Sequence, residues 1–318
     1  MQDDLLRVEA ELLRVVAATD DFLTEVAGHL VSAGGKRVRP GFCIAAAAVH
    51  DFEGSAAPIE VIRGGCAVEL VHIGSLYHDD VIDGATTRRG VKSINAKWGN
   101  LRAILAGDYL LGRASELAAA LGTEVAGLLA TTITELCTGQ ILELESVHNA
   151  DRTFEQYQRS ISGKTSSLLA TSCRIGGIVA GLPRPTIDAL SEFGRAYGMA
   201  FQIVDDILDV VATDEQLGKP AGNDLLEGIY TLPVIYSLGD PGVSAELRSL
   251  LHSGISVEER DRARELTRLG GGVELAVEAA EAWSDRAGAA LSGLPDTTGA
   301  AALRAAGHHL LGRLNAVR

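Results

Sequence analysis

Apolar residues recur every three or four positions through nearly all of this chain, a spacing that admits helices and little else. Leu5, Leu6, Val8, Leu12, Leu13 and Val16 form one such face, and similar faces run through 58–82, 101–121, 123–148, 154–181, 186–212, 272–291 and 297–316. No alternating strand pattern bounded by hairpin turns is visible. Only 8 prolines interrupt 318 residues, and Pro58, Pro183, Pro185, Pro220 and Pro295 fall between the periodic segments. Pro40 suits the first turn of a helix opening after Gly34-Gly35-Lys36. Mid-helix glycine costs roughly 1 kcal/mol relative to alanine. The 36 glycines are therefore expected at joints, as at Gly90 and Gly99, or where helices approach closely, as at Gly176 and Gly177. No low-complexity linker divides the chain. The fold expected is all-α: one large helical domain over 1–318, with the stretch 238–258 its loosest part.

Charge and composition narrow the function classes. The formal net charge is −14, from 28 Lys plus Arg against 42 Asp plus Glu. Such a field repels phosphate backbones and argues against a nucleic-acid partner. With 47% hydrophobic and 22% charged residues the chain is far from the disordered class. No uninterrupted apolar run approaches the roughly 18 to 20 residues that span a bilayer; the longest, Gly41 to Val49, stops at His50 and Asp51. The start, Met1-Gln2-Asp3-Asp4, lacks the basic-then-apolar pattern of a signal peptide. Cys43, Cys66, Cys137 and Cys173 are dispersed, without zinc-site or disulfide spacing, and suit a reducing compartment. A cytoplasmic protein is expected.

Two acidic clusters stand out. His78-Asp79-Asp80-Val81-Ile82-Asp83 closes an apolar helix, and Asp205-Asp206-Ile207-Leu208-Asp209 repeats its Asp-Asp-x-x-Asp pattern after Phe201-Gln202. Residues four apart share a helix face, so Asp79 stacks with Asp83 and Asp205 with Asp209. Like charges held beside apolar surfaces call for cations. Carboxylate oxygens suit Mg²⁺, which commonly also binds substrate phosphates. One such cluster alone reads more readily as a solvated helix end. Two of them read as jaws around a metal–phosphate group.

Phosphate also needs positive charge. Gly34-Gly35-Lys36-Arg37-Val38-Arg39-Pro40 sets three cations where a helix begins, and a helix amino terminus favours anions. Arg88-Arg89-Gly90 follows the first acidic cluster, Gly163-Lys164-Thr165 lies within 154–181, and Gly218-Lys219-Pro220 follows the second cluster. Lys164-Thr165 is not a nucleotide P-loop, because Gln158 stands where its first glycine belongs and no strand precedes it. Any one basic pair reads as surface charge. Four flanking the acidic clusters read as a diphosphate site.

Together these motifs resemble the trans-isoprenyl diphosphate synthases, or polyprenyl synthetases, over about 20–236, with 237–318 forming carboxy-terminal helices. The segment Ser93-Ile94-Asn95-Ala96 with Trp98-Gly99-Asn100 and Gly107-Asp108 is closest to the long-chain branch. The resemblance implies an all-α fold with a central cavity, a homodimer, and three Mg²⁺ ions, with Mn²⁺ an alternative. It implies condensation of isopentenyl diphosphate with an allylic diphosphate, by ionisation, attack of the double bond and loss of a proton. On it, Asp79, Asp80, Asp83, Asp205, Asp206 and Asp209 hold metal, and Asp224 acts on a metal through water. Lys36, Arg39, His72 and Arg89 grip isopentenyl diphosphate, while Arg88, Lys164 and Lys219 hold the allylic diphosphate. Gln202 and Thr165 line the space around the cation. Ile229 stands where the family often has lysine in its Gly-Lys-x-Thr-Leu-Pro segment.

Chain length is expected to follow from what blocks the tunnel beneath the first cluster. Side chains four and five residues before Asp79 lie roughly 6 to 8 Å deeper along the axis. These are Ser75 and Gly74, with Val71 deeper still. Short-chain members carry bulky residues there, so a product longer than farnesyl diphosphate is expected, with geranylgeranyl diphosphate the alternative. A class I terpene cyclase fits less well, since its second motif is usually of Asn/Ser/Glu type and aromatics make up only 4% here. A non-catalytic subunit of a heteromeric synthase would have lost charged motif residues, and both clusters are complete. Long products seek membranes, so transient contact with a membrane surface at product release stays open.

Overall fold

The computed structural model describes residues 1–49, 56–217 and 220–315. The chain is all-α, as the periodicity predicts. The helices are α1 (Gln2–Val16), α2 (Asp21–Ser32), α3 (Val38–Ala47), α4 (Ile59–Ile82), α5 (Ile94–Trp98), α6 (Asn100–Ala120), α7 (Thr123–Leu144), α8 (Phe154–Ile161), α9 (Ser167–Val179) and α10 (Arg184–Val211), followed by the short α11 (Asp214–Leu217), α12 (Asn223–Leu226), α13 (Leu232–Ser237) and α14 (Ser244–Leu250), then α15 (Val257–Leu269), α16 (Gly272–Ala290) and α17 (Thr298–Asn315). A five-residue π-helix, Ser162–Ser166, joins α8 to α9. The contacts gather into two compact units, one of 1–133, 168–191 and 293–303, the other of 134–167, 192–292 and 304–318.

In the first unit α4 is buried along most of its length. Tyr77 is fully buried, and its hydroxyl donates to the Val26 and Ala27 carbonyls of α2 at 3.0 and 3.1 Å. Packing of α4 on α6 depends on two glycines. A Cβ on Gly74 would lie 3.1 Å from the Gly107 carbonyl, and one on Gly107 would overlap the His78 ring. The residues thus cost helix propensity but permit close approach. One strand pair escaped the periodicity: β1 (Thr87–Arg88) and β2 (Val91–Lys92) form a ladder turned by Arg89-Gly90. Two-residue strands are too short to show alternation. Ser93 Oγ donates to the Ala85 carbonyl at 2.6 Å and Asn95 Nδ2 to the Asp80 carbonyl at 2.8 Å, tying the hairpin beneath the end of α4.

In the second unit Leu225, Tyr230, Val234, Leu247, Ala263 and Leu266 belong to one apolar core. It spans the stretch 238–258, which is ordered by α14 and the start of α15. Helix α15 was hidden because Val257–Leu269 is mostly charged, with only Ala263, Leu266 and a few neighbours facing inward. A capping box of Ser256 and Glu259 starts it. Its Arg264 and Arg268 donate to the Val210 and Ala212 carbonyls at 2.6 to 3.0 Å, satisfying the carboxyl end of α10 with positive charge.

Among the described residues one helix, α7, is long and apolar enough to cross a membrane by length and composition, contrary to the expectation that no stretch would be. Thr131, Thr132, Thr134 and Glu135 break its run without lowering the average enough. Only 22% of its apolar window is buried within the chain.

Candidate active site

The first acidic cluster sits where α4 ends. Asp83 is the carboxy-terminal cap, its N–H bonded to the Asp79 carbonyl at 2.8 Å, so the two residues stand one turn apart. Asp80 is fully buried. Arg88 Nε, on β1, donates to its Oδ1 at 2.7 Å, and its Oδ2 is buried with no hydrogen-bond partner. Arg88 is thereby already engaged with the cluster that it was expected to flank.

Arg39, His72 and Arg89 lie within electrostatic reach of one another in the first unit. Arg39 is half-buried with an unpartnered Nε, and burial lowers its pKa, Glu69 opposing and Arg89 adding to the effect. Burial, then the positive charges of Arg39, Arg89, Arg37 and Arg88, hold the His72 imidazole well below its ordinary pKa, so it is neutral near pH 7. Lys36 is exposed on the loop before α3. Two residues were missed. Glu69, buried in α4, faces this basic group, and Arg37 is turned inward to meet it at 2.8 Å. The visible signal was a lone carboxylate in an apolar helix.

In the second unit α10 carries the other cluster. Asp206 and Asp209 are buried, while Asp205 is half-buried. The Tyr157 hydroxyl donates to Asp206 Oδ2 at 2.6 Å, and Gln202 Nε2 to Oδ1 at 2.8 Å. Gln202 Oε1 in turn accepts from Thr165 Oγ1 at 2.7 Å. Burial pushes the Asp206 carboxyl up to about 7; the Tyr157 and Gln202 hydrogen bonds oppose this, and the charges of Asp205 and Glu143 add to it. Asp209 Oδ2 accepts from the Asp224 N–H at 3.3 Å, which places Asp224 beside the cluster. Arg313 of α17 pairs with Asp205 at 2.8 Å, a contact that sequence spacing could not reveal.

Lys164 and Thr165 lie in the π-helix and not in a regular α-helix. It forms where Gly163 meets Gly139 of the crossing α7, and a Cβ on Gly163 would lie 2.5 Å from the Glu135 carbonyl. Widened turns of this kind are frequent at functional sites. Lys164 Nζ pairs with Glu143. Lys219 lies outside the described residues. Ile229 is half-buried, its N–H bonded to the Asp224 carbonyl at 2.7 Å.

Among the expected tunnel residues, Gly74 faces α6 and Val71 is fully buried. Ser75 is half-buried, its hydroxyl donating to the His72 carbonyl at 2.9 Å.

These donors fit a hard divalent cation. They are all carboxylate oxygens, one of them a buried atom without a partner, and a cation would relieve the burial that raises the Asp206 pKa. Among the described residues no three acidic, histidine or cysteine side chains already form a compact metal cluster.

A family model described as polyprenyl synthetase matches residues 20–267. The chain is 46% identical over 252 residues to heptaprenyl diphosphate synthase component 2 of Geobacillus stearothermophilus, covering 79% of this chain and 77% of that one. It is 38% identical over 301 residues to nonaprenyl diphosphate synthase of Mycobacterium tuberculosis, covering 94% and 89%. The crystal structure of geranylgeranyl pyrophosphate synthase from Corynebacterium glutamicum, complexed with calcium and isoprenyl diphosphate, matches with a TM-score of 0.84 at 39% identity, covering 98% and 95%. On the strength of these matches and of the all-α fold, the chain belongs to the polyprenyl synthetase family and is a prenyltransferase.

Proposed function

We propose that this chain, acting as a single domain over 1–318, condenses isopentenyl diphosphate with an allylic diphosphate into a trans-polyprenyl diphosphate longer than farnesyl. The observation that carries the reading is the presence of two complete Asp-Asp-x-x-Asp clusters, each with its own basic side chains nearby: Arg88 at the first, Lys164 in the unit of the second. Helices α7 and α10 each run unbroken across a boundary between the compact units, which supports one domain.

Family members are metal-dependent. In our reading the ions are Mg²⁺, three in number. Asp79, Asp80, Asp83, Asp205, Asp206 and Asp209 hold them, with Asp224 acting through water. Bound metal supplies charge neutralisation for the departing diphosphate. Arg39, His72, Arg89 and Lys36 bind isopentenyl diphosphate; Arg88, Lys164 and Lys219 bind the allylic diphosphate. Thr165 and Gln202 place polar oxygens at the π-helix near the developing cation. Apolar walls exclude the water that would quench it.

The site works in a homodimer and in the cytoplasm. Helix α6 exposes Leu101, Ile104 and Leu105 along one side, an apolar stripe suited to a second copy. Cys43, Cys66, Cys137 and Cys173 are free thiols, in keeping with a reducing compartment. A relative named as a component favours one rival reading, a chain active only with a second subunit. A match to a geranylgeranyl synthase favours another, a shorter product.

Purified protein with Mg²⁺, labelled isopentenyl diphosphate and a panel of allylic primers should give a product longer than farnesyl by chromatography. No turnover without a second protein would favour the component reading. Gly74→Phe would collide with α6 and tests nothing about length. Ser75→Phe is the informative change and should shorten the product; an unchanged length would overturn the tunnel assignment.

A further inference from the structure

The basic group of the first unit contains one buried acid that neither the motif pattern nor the proposed chemistry uses. Glu69 lies in the middle of α4 and is 2% exposed. A carboxylate so placed is strongly disfavoured unless paired. Its Oε1 accepts from Arg37 NH1 at 2.8 Å and lies 3.6 Å from Arg89 NH2. Its charge also acts on Arg39. One buried carboxylate thus faces three guanidinium groups.

Those three are not equivalent. Arg37 is 5% exposed, and all three of its nitrogens are in use. Nε and NH2 reach Glu9 at 2.6 and 2.9 Å, NH2 also reaches the Val31 carbonyl at 2.8 Å, and NH1 reaches Glu69. Four of its five N–H donors are thus committed to protein acceptors, and the side chain is almost wholly buried. Arg89 differs. Its NH1 donates to the Leu30 and Gly34 carbonyls at 3.1 and 2.5 Å, and its NH2 lies toward Glu69. Arg39 retains an unpartnered buried Nε. Arg37 and Arg89 both adopt left-handed backbone conformations, with φ of 45° and 52°. Non-glycine residues hold that conformation only where the surroundings over-determine it, commonly at functional sites. Both strained residues send their side chains to the same carboxylate.

We propose that Glu69 is a positioning residue: it holds Arg89, beside Arg39, in the arrangement that receives the diphosphate of isopentenyl diphosphate. Arg37 anchors Glu69 from the other side through Glu9 on α1. The inference rests on the reading of Arg39 and Arg89 as diphosphate ligands. It has a sign that separates it from simple charge balance. A negative charge near an anion site weakens binding by Coulomb repulsion, so Glu69 acting only through charge would bind diphosphate more tightly once neutralised. Glu69 acting through geometry would bind it less tightly, because the guanidinium groups would lose their fixed direction.

The test is Glu69→Gln, nearly isosteric and uncharged. The KM for isopentenyl diphosphate should rise roughly 10- to 100-fold, the range expected for losing a hydrogen-bonded charge partner. The KM for the allylic primer and kcat should stay within about threefold, inside ordinary context effects. Arg37→Met removes the anchor of Glu69 without touching Arg39 or Arg89, so melting temperature should fall and the KM for isopentenyl diphosphate should rise in the same selective way as in Glu69→Gln. Should Glu69→Gln fail to fold, Glu69→Asp keeps the charge but withdraws it from Arg89, and the same selective rise is expected. A lowered or unchanged KM for isopentenyl diphosphate, or a parallel rise for both substrates, would overturn the proposal. Calorimetry with isopentenyl diphosphate on metal-free protein separates the levels. Wild type that binds none would remove the reading of the site itself; wild type and Glu69→Gln that bind equally would remove only the role of Glu69.

Discussion

Two stretches of this chain share one pattern, Asp-Asp-x-x-Asp, and the fold treats their middle residues differently. Asp80 is matched to a cation, Arg88 at 2.7 Å, and keeps a buried oxygen without a partner. Asp206 is matched to neutral donors, Tyr157 and Gln202, one on each oxygen, and burial pushes it up to about 7. Identical letters therefore carry different partners and different spare valences. The pattern places carboxylates on a helix face; the neighbours decide what each carboxylate is prepared to hold.

The largest expected effect tests that asymmetry directly. Asp80→Asn removes the buried charge that holds the half-buried Arg88 guanidinium and leaves that cation without its carboxylate. It should lower kcat/KM roughly 10²- to 10³-fold, the scale for losing one preorganised electrostatic group. Asp206→Asn keeps a similar shape at a position already surrounded by neutral donors, and should cost roughly tenfold. Steady-state kinetics at saturating Mg²⁺ compares them. Equal losses would break the contrast.

A smaller effect concerns stability and pH. A carboxyl whose folded pKa is raised binds its proton more tightly in the folded state. The stabilisation from that proton is complete below the ordinary carboxylate value and is lost as pH rises through about 7. Metal-free protein should therefore lose melting temperature between pH 5 and pH 8, and Asp206→Asn should flatten that slope, by roughly 5 °C in the difference. Mg²⁺ at pH 8 should restore wild type more than the variant. Parallel slopes for the two proteins would mean that the carboxylate is not confined as the geometry indicates.

The long helices were legible because their apolar faces repeat often enough to outweigh interruptions. Both acidic clusters were legible because their spacing matches a helical turn. What escaped the pattern has physical reasons. Val257–Leu269 buries too few apolar side chains to stand out, although its arginines cap the helix that carries Asp205, Asp206 and Asp209. Thr87–Arg88 and Val91–Lys92 are too short to alternate, although they deliver Arg88 to Asp80. Arg37 is indistinguishable in sequence from Lys36 and Arg39; a left-handed backbone angle turns it inward and away from any ligand. The π-helix at Lys164 lies where two glycines 24 positions apart, Gly139 and Gly163, meet, which no local reading can foresee.

The smallest expected effect lies at the edge of the second cluster. Arg313, near the end of α17, pairs with Asp205 at 2.8 Å, and both side chains are partly exposed at 29% and 38%. A divalent cation bound through Asp205 must compete with that guanidinium or share the oxygen with it. Partly exposed ion pairs contribute only about 0.2 to 1 kcal/mol, because water and salt screen them. Arg313→Ala should accordingly lower the Mg²⁺ concentration for half-maximal activity by no more than about fivefold. Arg313→Lys should sit between the two, since it keeps charge without the planar fork. The shift should shrink as salt is raised, because screening weakens the competitor first. A higher Mg²⁺ requirement in Arg313→Ala would reverse the assignment, making Arg313 a residue that orients Asp205 for the ion.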